Sequence, residues 1–233
     1  MAGSITWLGH AAFAITSPQG KVVYIDPFID GNPFCPITVA DIQRADIVLV
    51  THDHFDHTGS AVDIVKKTGA TLMAQPETTS RFIAELGMPG DRGANFGMGM
   101  NIGATIAVAG IEVTMTQACH SSQTASNAGF IVRLEDGYTI YHAGDTGIFA
   151  TMKLFGEMYP LDMALLPIGS GFVMDPYQAA KALALLSPRK AIPMHYKTFP
   201  VLEQSADRFV ELARREAPSV EVIVPQPGQE VAL

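Results

Sequence analysis

The sequence Thr-His-Asp-His-Phe-Asp-His at residues 51–57 places three His and two Asp within six residues of a chain that has seven His in total. The apolar run at 47–50 before it predicts a buried strand, and residues 59–68 after it predict a helix. The cluster is therefore expected in a strand-to-helix loop, at the carboxyl end of the strand. Imidazole and carboxylate side chains are the ligands that suit zinc, iron and manganese, so this loop is a candidate metal site.

Three further candidate ligands follow other strand-like runs of the sequence. His120, Asp145 and His195 each come after a separate apolar segment. Because sites in α/β sheets form at the carboxyl ends of the strands, we expect these side chains to meet the histidine-rich loop. The complete set is five His and two Asp, enough for two metal ions: His52, His54, Asp56, His57, His120, Asp145 and His195.

Short apolar, β-branched runs between Gly, Pro and Asp predict an α/β protein. The predicted strands are residues 5–8, 12–16, 22–26, 47–51, 71–74, 105–108, 111–116, 129–134, 138–142, 163–166, 191–194 and 221–224. The predicted helices are residues 59–68, 76–86, 175–186 and 203–216. This order fits two sheets packed face to face with helices outside, in a single domain over residues 1–233. Long loops at 27–44 and 88–103 are candidate lids or pocket walls.

The composition narrows the class of protein further. The 233 residues are 48% apolar and 16% charged, with a formal net charge of −8. Such a chain can bury a core, and its acidity argues against nucleic acid and against stable membrane association. We expect a cytoplasmic protein because the sequence has no signal-peptide pattern, no apolar run of about 18 residues and only two Cys. The low charge leaves room for a homo-oligomeric interface.

The order of the motifs resembles the metallo-β-lactamase superfamily. The chain has the pattern T-H-x-H-x-D-H, then a distant His, a G-D-T and a last His, and the resemblance as a whole covers residues 7 to about 197. Trp-Leu-Gly-His at 7–10, Asp-Pro at 26–27 and Tyr-His-Ala-Gly-Asp-Thr at 141–146 are similar to one branch of it. That branch contains ascorbate-phosphate lactonase-like proteins, N-acylphosphatidylethanolamine phospholipase D and many uncharacterised metal-dependent hydrolases. The resemblance implies an αββα sandwich of four layers.

The resemblance also implies a role for each candidate ligand. His52, His54 and His120 would hold one metal, Asp56, His57 and His195 the second, and Asp145 would bridge them. Two carboxylates against two divalent ions leave a charge of +2, which favours a bridging hydroxide and an anionic substrate. Asp56 is also a candidate to accept a proton from the nucleophile. Zinc is the first choice of metal, with manganese and iron as alternatives.

The sequence also suggests roles or positions for several other residues near the motifs. His10 and His142 are each either structural or catalytic, as a substrate contact or a proton donor to the leaving group. Asp26 is expected to orient a ligand or the histidine-rich loop. Asp53 lies between two ligands and is expected to face outward. Phe172 is expected in the core, although it could line a pocket.

The function expected from these features is a binuclear metal-dependent hydrolase. Its metal-bridging hydroxide would attack an ester, lactone or phosphodiester bond of a small anionic substrate. The alternative is a non-catalytic metal-binding protein, either a metabolite sensor or a scaffold. Within the superfamily, a tRNA-processing nuclease is disfavoured because the chain has no basic insertion. A flavodiiron-type oxidoreductase is disfavoured because that group usually has Glu where this chain has His54. A phospholipase acting at membranes is disfavoured by the lack of a basic amphipathic helix.

Overall fold

The structure is a computed structural model that describes residues 3–233, and within this range thirteen strands form two mixed sheets. The strands are β1 (Ser4–Trp7), β2 (Phe13–Thr16), β3 (Val22–Ile25), β4 (Ile47–Leu49), β5 (Thr71–Met73), β6 (Thr105–Val108), β7 (Ile111–Gln117), β8 (Ala128–Arg133), β9 (Thr139–His142), β10 (Met163–Pro167), β11 (Lys190–Met194), β12 (Glu221–Val222) and β13 (Glu230–Ala232).

The helices lie between these strands. They are α1 (Phe55–Thr58), α2 (Ala61–Thr68), α3 (Pro76–Leu86), α4 (Ala94–Gly97), α5 (Met152–Met158), α6 (Pro176–Leu186) and α7 (Asp207–Glu216). Pro76 and Pro176 occupy the first turns of α3 and α6, where a missing N–H costs nothing. The carboxylate of Asp175 caps α6 by accepting a hydrogen bond from the Gln178 N–H. In the described part of the chain, no helix is both long and apolar enough to cross a membrane.

Each sheet is antiparallel on one side and parallel on the other. The first sheet has the order β13-β1-β2-β3-β4-β5, and its β3, β4 and β5 are parallel. The second has the order β12-β11-β10-β9-β8-β7-β6, and β9 to β12 are parallel. Strands β7, β9, β10 and β11 all run in one direction, so the segments that follow them leave from the same edge of the second sheet.

The alternation of side chains along β4 shows how the layers pack. Ile47 and Leu49 belong to the core between the two sheets, whereas Val48 and Val50 face the opposite side. There they pack with α2 and α3 through residues such as Ile64. Helices α5, α6 and α7 contribute apolar side chains to the core on the second sheet. Burying each large aliphatic side chain contributes about 1.5–3 kcal/mol. The core that joins the two sheets to α5, α6 and α7, and the smaller core between the first sheet and α2 and α3, therefore hold the layers together.

The expected α/β architecture of two sheets with helices outside is confirmed, as the αββα sandwich. All twelve predicted strands are present, with bounds that differ by at most two residues. The prediction missed β13, which has three residues and pairs with β1 across almost the whole length of the sequence. It also missed the short helices α1, α4 and α5, and it began the last helix four residues early, at 203 instead of Asp207.

Candidate metal centre

The candidate ligands converge where the two sheets end. His54 precedes the first turn of α1, and Asp56 and His57 lie in that turn. On the second sheet, His195 directly follows β11, while His120 and Asp145 each lie three residues beyond β7 and β9. The histidine-rich stretch is thus partly loop and partly helix. Its position beyond the buried strand β4 is the one that the sequence predicts.

The ligand atoms fall into groups compact enough to hold metal ions. His52, His54 and His120 each offer an atom within 4.8 Å of the others. Asp56, His57 and His195 form a second such group, together with His10. Asp145 forms a third with His52 and His57, which joins the first two. All seven candidate ligands are therefore brought together.

Asp145 lies at the centre of the set. Its Oδ2 is 3.0 Å from His195 Nε2, 3.3 Å from His57 Nε2 and 3.7 Å from His120 Nε2. Burial would raise the pKa of this carboxyl, but His195 and His57 hold it well below its usual value. Among the described residues, Asp145 Oδ1 and His57 Nε2 are buried without a hydrogen-bond partner. Buried donors and acceptors are normally paired, so these two atoms fit a bound cation.

Asp26 fixes which ring nitrogen each neighbouring His presents. Its carboxylate accepts hydrogen bonds from the Thr51 N–H at 2.8 Å, from Thr51 Oγ1 at 2.7 Å and from His57 Nδ1 at 2.8 Å. Since Thr51 Oγ1 donates to Asp26, its lone pair accepts from His52 Nδ1 at 3.0 Å. Both His52 and His57 then carry their proton on Nδ1 in the metal-binding form, and Nε2 is left as a ligand. The orienting role expected for Asp26 agrees with these contacts.

His10 contacts the candidate ligand Asp56. Its Nε2 is 3.1 Å from Asp56 Oδ2, and its Nδ1 is 3.0 Å from Thr198 Oγ1. Burial, reinforced by the nearby His195, lowers the pKa of His10 to about 4. The imidazole is therefore neutral at pH 7. Because the ionised Asp56 carboxylate can only accept, the single ring proton lies on Nε2 and is donated to Asp56, and Nδ1 faces Thr198 Oγ1.

Strained backbone accompanies this cluster. Asp26, His10 and His195 have φ of 44°, 55° and 55°, in the left-handed region that residues other than Gly rarely adopt. The His195 N–H donates to the His10 carbonyl at 3.0 Å, and Trp7 Nε1 donates to the same oxygen at 2.9 Å. The first of these hydrogen bonds joins the strained backbone at His195 to that at His10, which is distant in sequence. Such strain is maintained only where the surrounding structure imposes it, and it concentrates at functional sites.

Comparison with known proteins identifies the family. A sequence model described as "Beta-lactamase superfamily domain" matches residues 21–196, a range that contains all seven candidate ligands. The chain belongs to the metallo-β-lactamase superfamily. The match begins after His10, so this residue lies outside the part of the chain that the family model covers.

Relatives within the superfamily match over nearly the whole chain. A protein of Nitratidesulfovibrio vulgaris (strain DP4) described as "UPF0173 metal-dependent hydrolase" is 51% identical over 229 residues, covering 98% of this chain and 95% of its own length. One of Caldivirga maquilingensis with the same description is 44% identical, covering 99% and 98%. The solved structure of Igni18, a metallo hydrolase from Ignicoccus hospitalis KIN4/I, has a TM-score of 0.88 and 35% identity, covering 100% and 99%.

His142 does not reach the cleft of this superfamily member. Its side chain is fully buried, its Nε2 lies 2.9 Å from the Ala11 carbonyl, and its Nδ1 accepts from the Gly144 N–H at 3.1 Å. Both ring nitrogens are therefore used by the main chain. Of the two roles that the sequence leaves open for His142, this arrangement favours the structural one. His142 joins the end of β9 to the segment after His10.

Asp53, between two candidate ligands in the sequence, does not lie where the sequence predicts. The prediction that it faces outward is wrong, since its side chain is buried. The carboxylate accepts hydrogen bonds from Ser122 Oγ, the Gln123 N–H, Thr124 Oγ1 and Arg81 Nη1, at 2.6–2.9 Å. Burial would raise the pKa of Asp53, but these hydrogen bonds lower it to about 2. Asp53 thereby ties the histidine-rich loop to the segment that follows His120. In the sequence, the polar run Ser-Ser-Gln-Thr at 121–124 is the feature that indicates hydrogen-bond donors for such a carboxylate.

A cleft of about 490 Å³ opens over the candidate metal ligands. Ligands at its base include His54, Asp56, His120, Asp145 and His195. Its walls come from residues 55, 121, 123, 172, 199, 201 and 202, so neither loop that was expected to wall the pocket lines it. The loop at 27–44 supports it from behind, because Phe28 packs edge-on against Phe55 with ring centroids 5.9 Å apart. Phe172, expected in the core, is 62% exposed at the cleft.

Proposed function

We propose that this protein is a hydrolase that uses two divalent metal ions to cleave an ester, lactone or phosphodiester bond. The observation that carries the proposal is the position of Asp145, whose Oδ2 lies within 3.7 Å of nitrogens from three of the candidate ligands. One carboxylate is thus shared between two compact ligand groups. The family of relatives described as metal-dependent hydrolases supports the same function.

The donor set fits divalent cations. The five His and two carboxylates together contribute a charge of −2. The set includes two buried atoms without a hydrogen-bond partner, His57 Nε2 and Asp145 Oδ1. His-rich sites with carboxylates suit zinc first, and manganese and iron also bind such ligands. When bound, two such ions lower the pKa of a water molecule toward neutrality and polarise the scissile bond.

The residues of the chain supply the orientation that this chemistry needs. The contacts of Asp26 direct the Nε2 atoms of His52 and His57 toward the metal when it is bound. In the metal-free protein, Asp145 and Asp26 outweigh burial and raise the pKa of His57 well above its usual value, so this ring is charged. His10 donates to one oxygen of Asp56, which keeps that carboxylate in a fixed position at the base of the cleft. Burial would raise the pKa of Asp56, but the hydrogen bond from His10 and the charge of His57 lower it far below its usual value. Asp56 is therefore ionised at neutral pH and is able to accept a proton from an attacking water.

The first experiment measures metal content per chain by elemental mass spectrometry, on protein as purified and after reconstitution with zinc or manganese. We expect about two ions per chain, the number that two ligand groups hold. His54→Ala and Asp145→Asn should each lower this number. Asp63→Asn, in an exposed position on α2, should leave it unchanged and serves as the matched control.

A parallel screen of esters, lactones and phosphodiesters tests turnover. Hydrolysis that requires metal and that falls in Asp56→Asn would support the proposal. No bound metal after reconstitution would overturn it. Two bound ions without hydrolysis of any of the three substrate classes would favour the sensor or scaffold alternative.

A further inference from the structure

The wall of the cleft is built from five apolar side chains, here called the apolar wall: Phe55, Phe172, Phe199, Val201 and Leu202. Three of them face solvent to an unusual degree, with Phe55 67% exposed and Phe172 and Val201 each 62% exposed. Single exposed apolar residues are common on any surface, but several grouped at one opening indicate a binding surface.

The apolar wall continues down to the candidate metal ligands. The Phe55 and Phe199 rings lie 6.4 Å apart, and Phe199 packs edge-on against His10 with centroids 5.5 Å apart. Phe55 directly precedes Asp56, so the position of the first apolar ring is coupled to that of a ligand. A molecule whose reacting group lies at the base would therefore extend along apolar side chains toward the opening.

Cationic side chains do not contribute to this cleft. The described residues that line it include no Lys and no Arg, and its polar residues besides the candidate ligands are Ser121 and Gln123. Arg81 bonds Gln123, but its guanidinium is also paired with Asp53 and Glu85. An anionic group held away from the metal centre would find no opposite charge here.

We propose that the apolar wall is the subsite for an uncharged alkyl, acyl or aryl group of the substrate, attached to the scissile bond; this inference rests on the hydrolase function proposed above. It changes the expected substrate from a small anion to an amphipathic molecule. The reacting group is polar, and the remainder is apolar. The cleft volume of about 490 Å³ is within the usual range for small-molecule sites.

Calorimetric titration of the zinc-loaded protein with methyl-, butyl-, hexyl- and octylphosphonate tests this subsite without requiring turnover. The phosphonate is constant while the alkyl chain grows. We expect Kd to fall with chain length by up to about fourfold per methylene, the gain for full burial of that group. Phe172→Ala and Val201→Ala should reduce this gain and leave the Kd of methylphosphonate unchanged. Phe96→Ala is the control, because Phe96 is fully exposed and does not line the cleft.

The same series of chain lengths in p-nitrophenyl esters, from acetate to octanoate, separates the two proposals. A Kd that falls with alkyl length, without hydrolysis of any substrate, would support the subsite and overturn the hydrolase. Hydrolysis with kcat/KM and Kd independent of chain length would support the hydrolase and overturn the subsite. A gain with chain length that persists in both wall variants would also overturn it.

Discussion

His57 Nδ1 lies 2.8 Å from Asp26 Oδ2, and both side chains are fully buried. The same carboxylate binds Thr51, which in turn contacts His52. One residue that holds no metal in the proposed scheme therefore orients one imidazole from each ligand group. Such outer hydrogen bonds fix ring orientation and increase the basicity of the ligand nitrogen.

Asp26→Asn is expected to weaken metal binding by about 10–100-fold, the usual effect of removing such a partner. The amide can donate to His57 Nδ1, which would move the proton of that ring to Nε2 and remove a ligand. Competition with a chromophoric chelator measures the affinity. Asp63→Asn, exposed on α2, is the control. An affinity within twofold of the wild type would show that Asp26 does not set the tautomer.

Asp53→Asn is expected to lower the free energy of unfolding of the metal-free protein by about 2 kcal/mol, because charged hydrogen bonds contribute more than neutral ones. The variant weakens four contacts that join the histidine-rich loop to residues 122–124 and to Arg81. Urea denaturation measures the loss. Glu85→Ala removes the second, more exposed carboxylate partner of Arg81 and should cost at most about 1 kcal/mol.

The effect of Asp53 should also depend on pH. The pKa of the carboxyl is about 2 in the folded protein, below the ordinary value of 3.8. A depressed pKa gives stability that is present above the unfolded value and is lost as pH falls toward the folded one. The difference between wild type and Asp53→Asn should therefore be largest above pH 4 and shrink between pH 4 and 2. A difference that stays constant over this range would contradict a charge-dependent role.

His10→Ala is expected to lower kcat for the best substrate of the screen by about 10–100-fold, as for other residues that orient a ligand. The variant removes the donor to Asp56 and leaves Thr198 without its imidazole partner. His10→Gln places an amide N–H near the former Nε2 and should restore part of the rate. Equal losses in the two variants would argue against a positioning role.

Much of the fold follows from local patterns in the sequence. Strands such as β4 are apolar, β-branched and bounded by polar residues, and their partners impose no unusual geometry. The clustering of the candidate ligands is predictable because metal chemistry restricts residue types and the strand ends restrict their positions. Local patterns do not predict β13, because its three residues form a strand through pairing with β1 and not through their own propensity.

The predictions for single side chains were weaker for a physical reason. The placement of Asp53 depends on which segment lies opposite, and Arg81 and Thr124 are distant from it in sequence. Likewise, His142 is adjacent to the Ala-Gly-Asp-Thr motif, yet the Ala11 carbonyl on another strand connection determines its role. Residue type shows that a group can do chemistry, whereas tertiary contacts decide whether it faces the cleft or the interior.

Removal of metal should destabilise the folded protein. A ligand that binds only the folded state stabilises it by RT ln(1 + [L]/Kd), which is about 2.7 kcal/mol at a concentration of 100 Kd. Chelation should therefore lower Tm, and added zinc should restore it in a concentration-dependent way. In Asp145→Asn, most of this rise in Tm on addition of zinc should be lost, because Asp145 contacts His57, His120 and His195. The exposed variant Asp63→Asn should keep it. An increment that survives in Asp145→Asn would place the stabilising metal elsewhere in the chain.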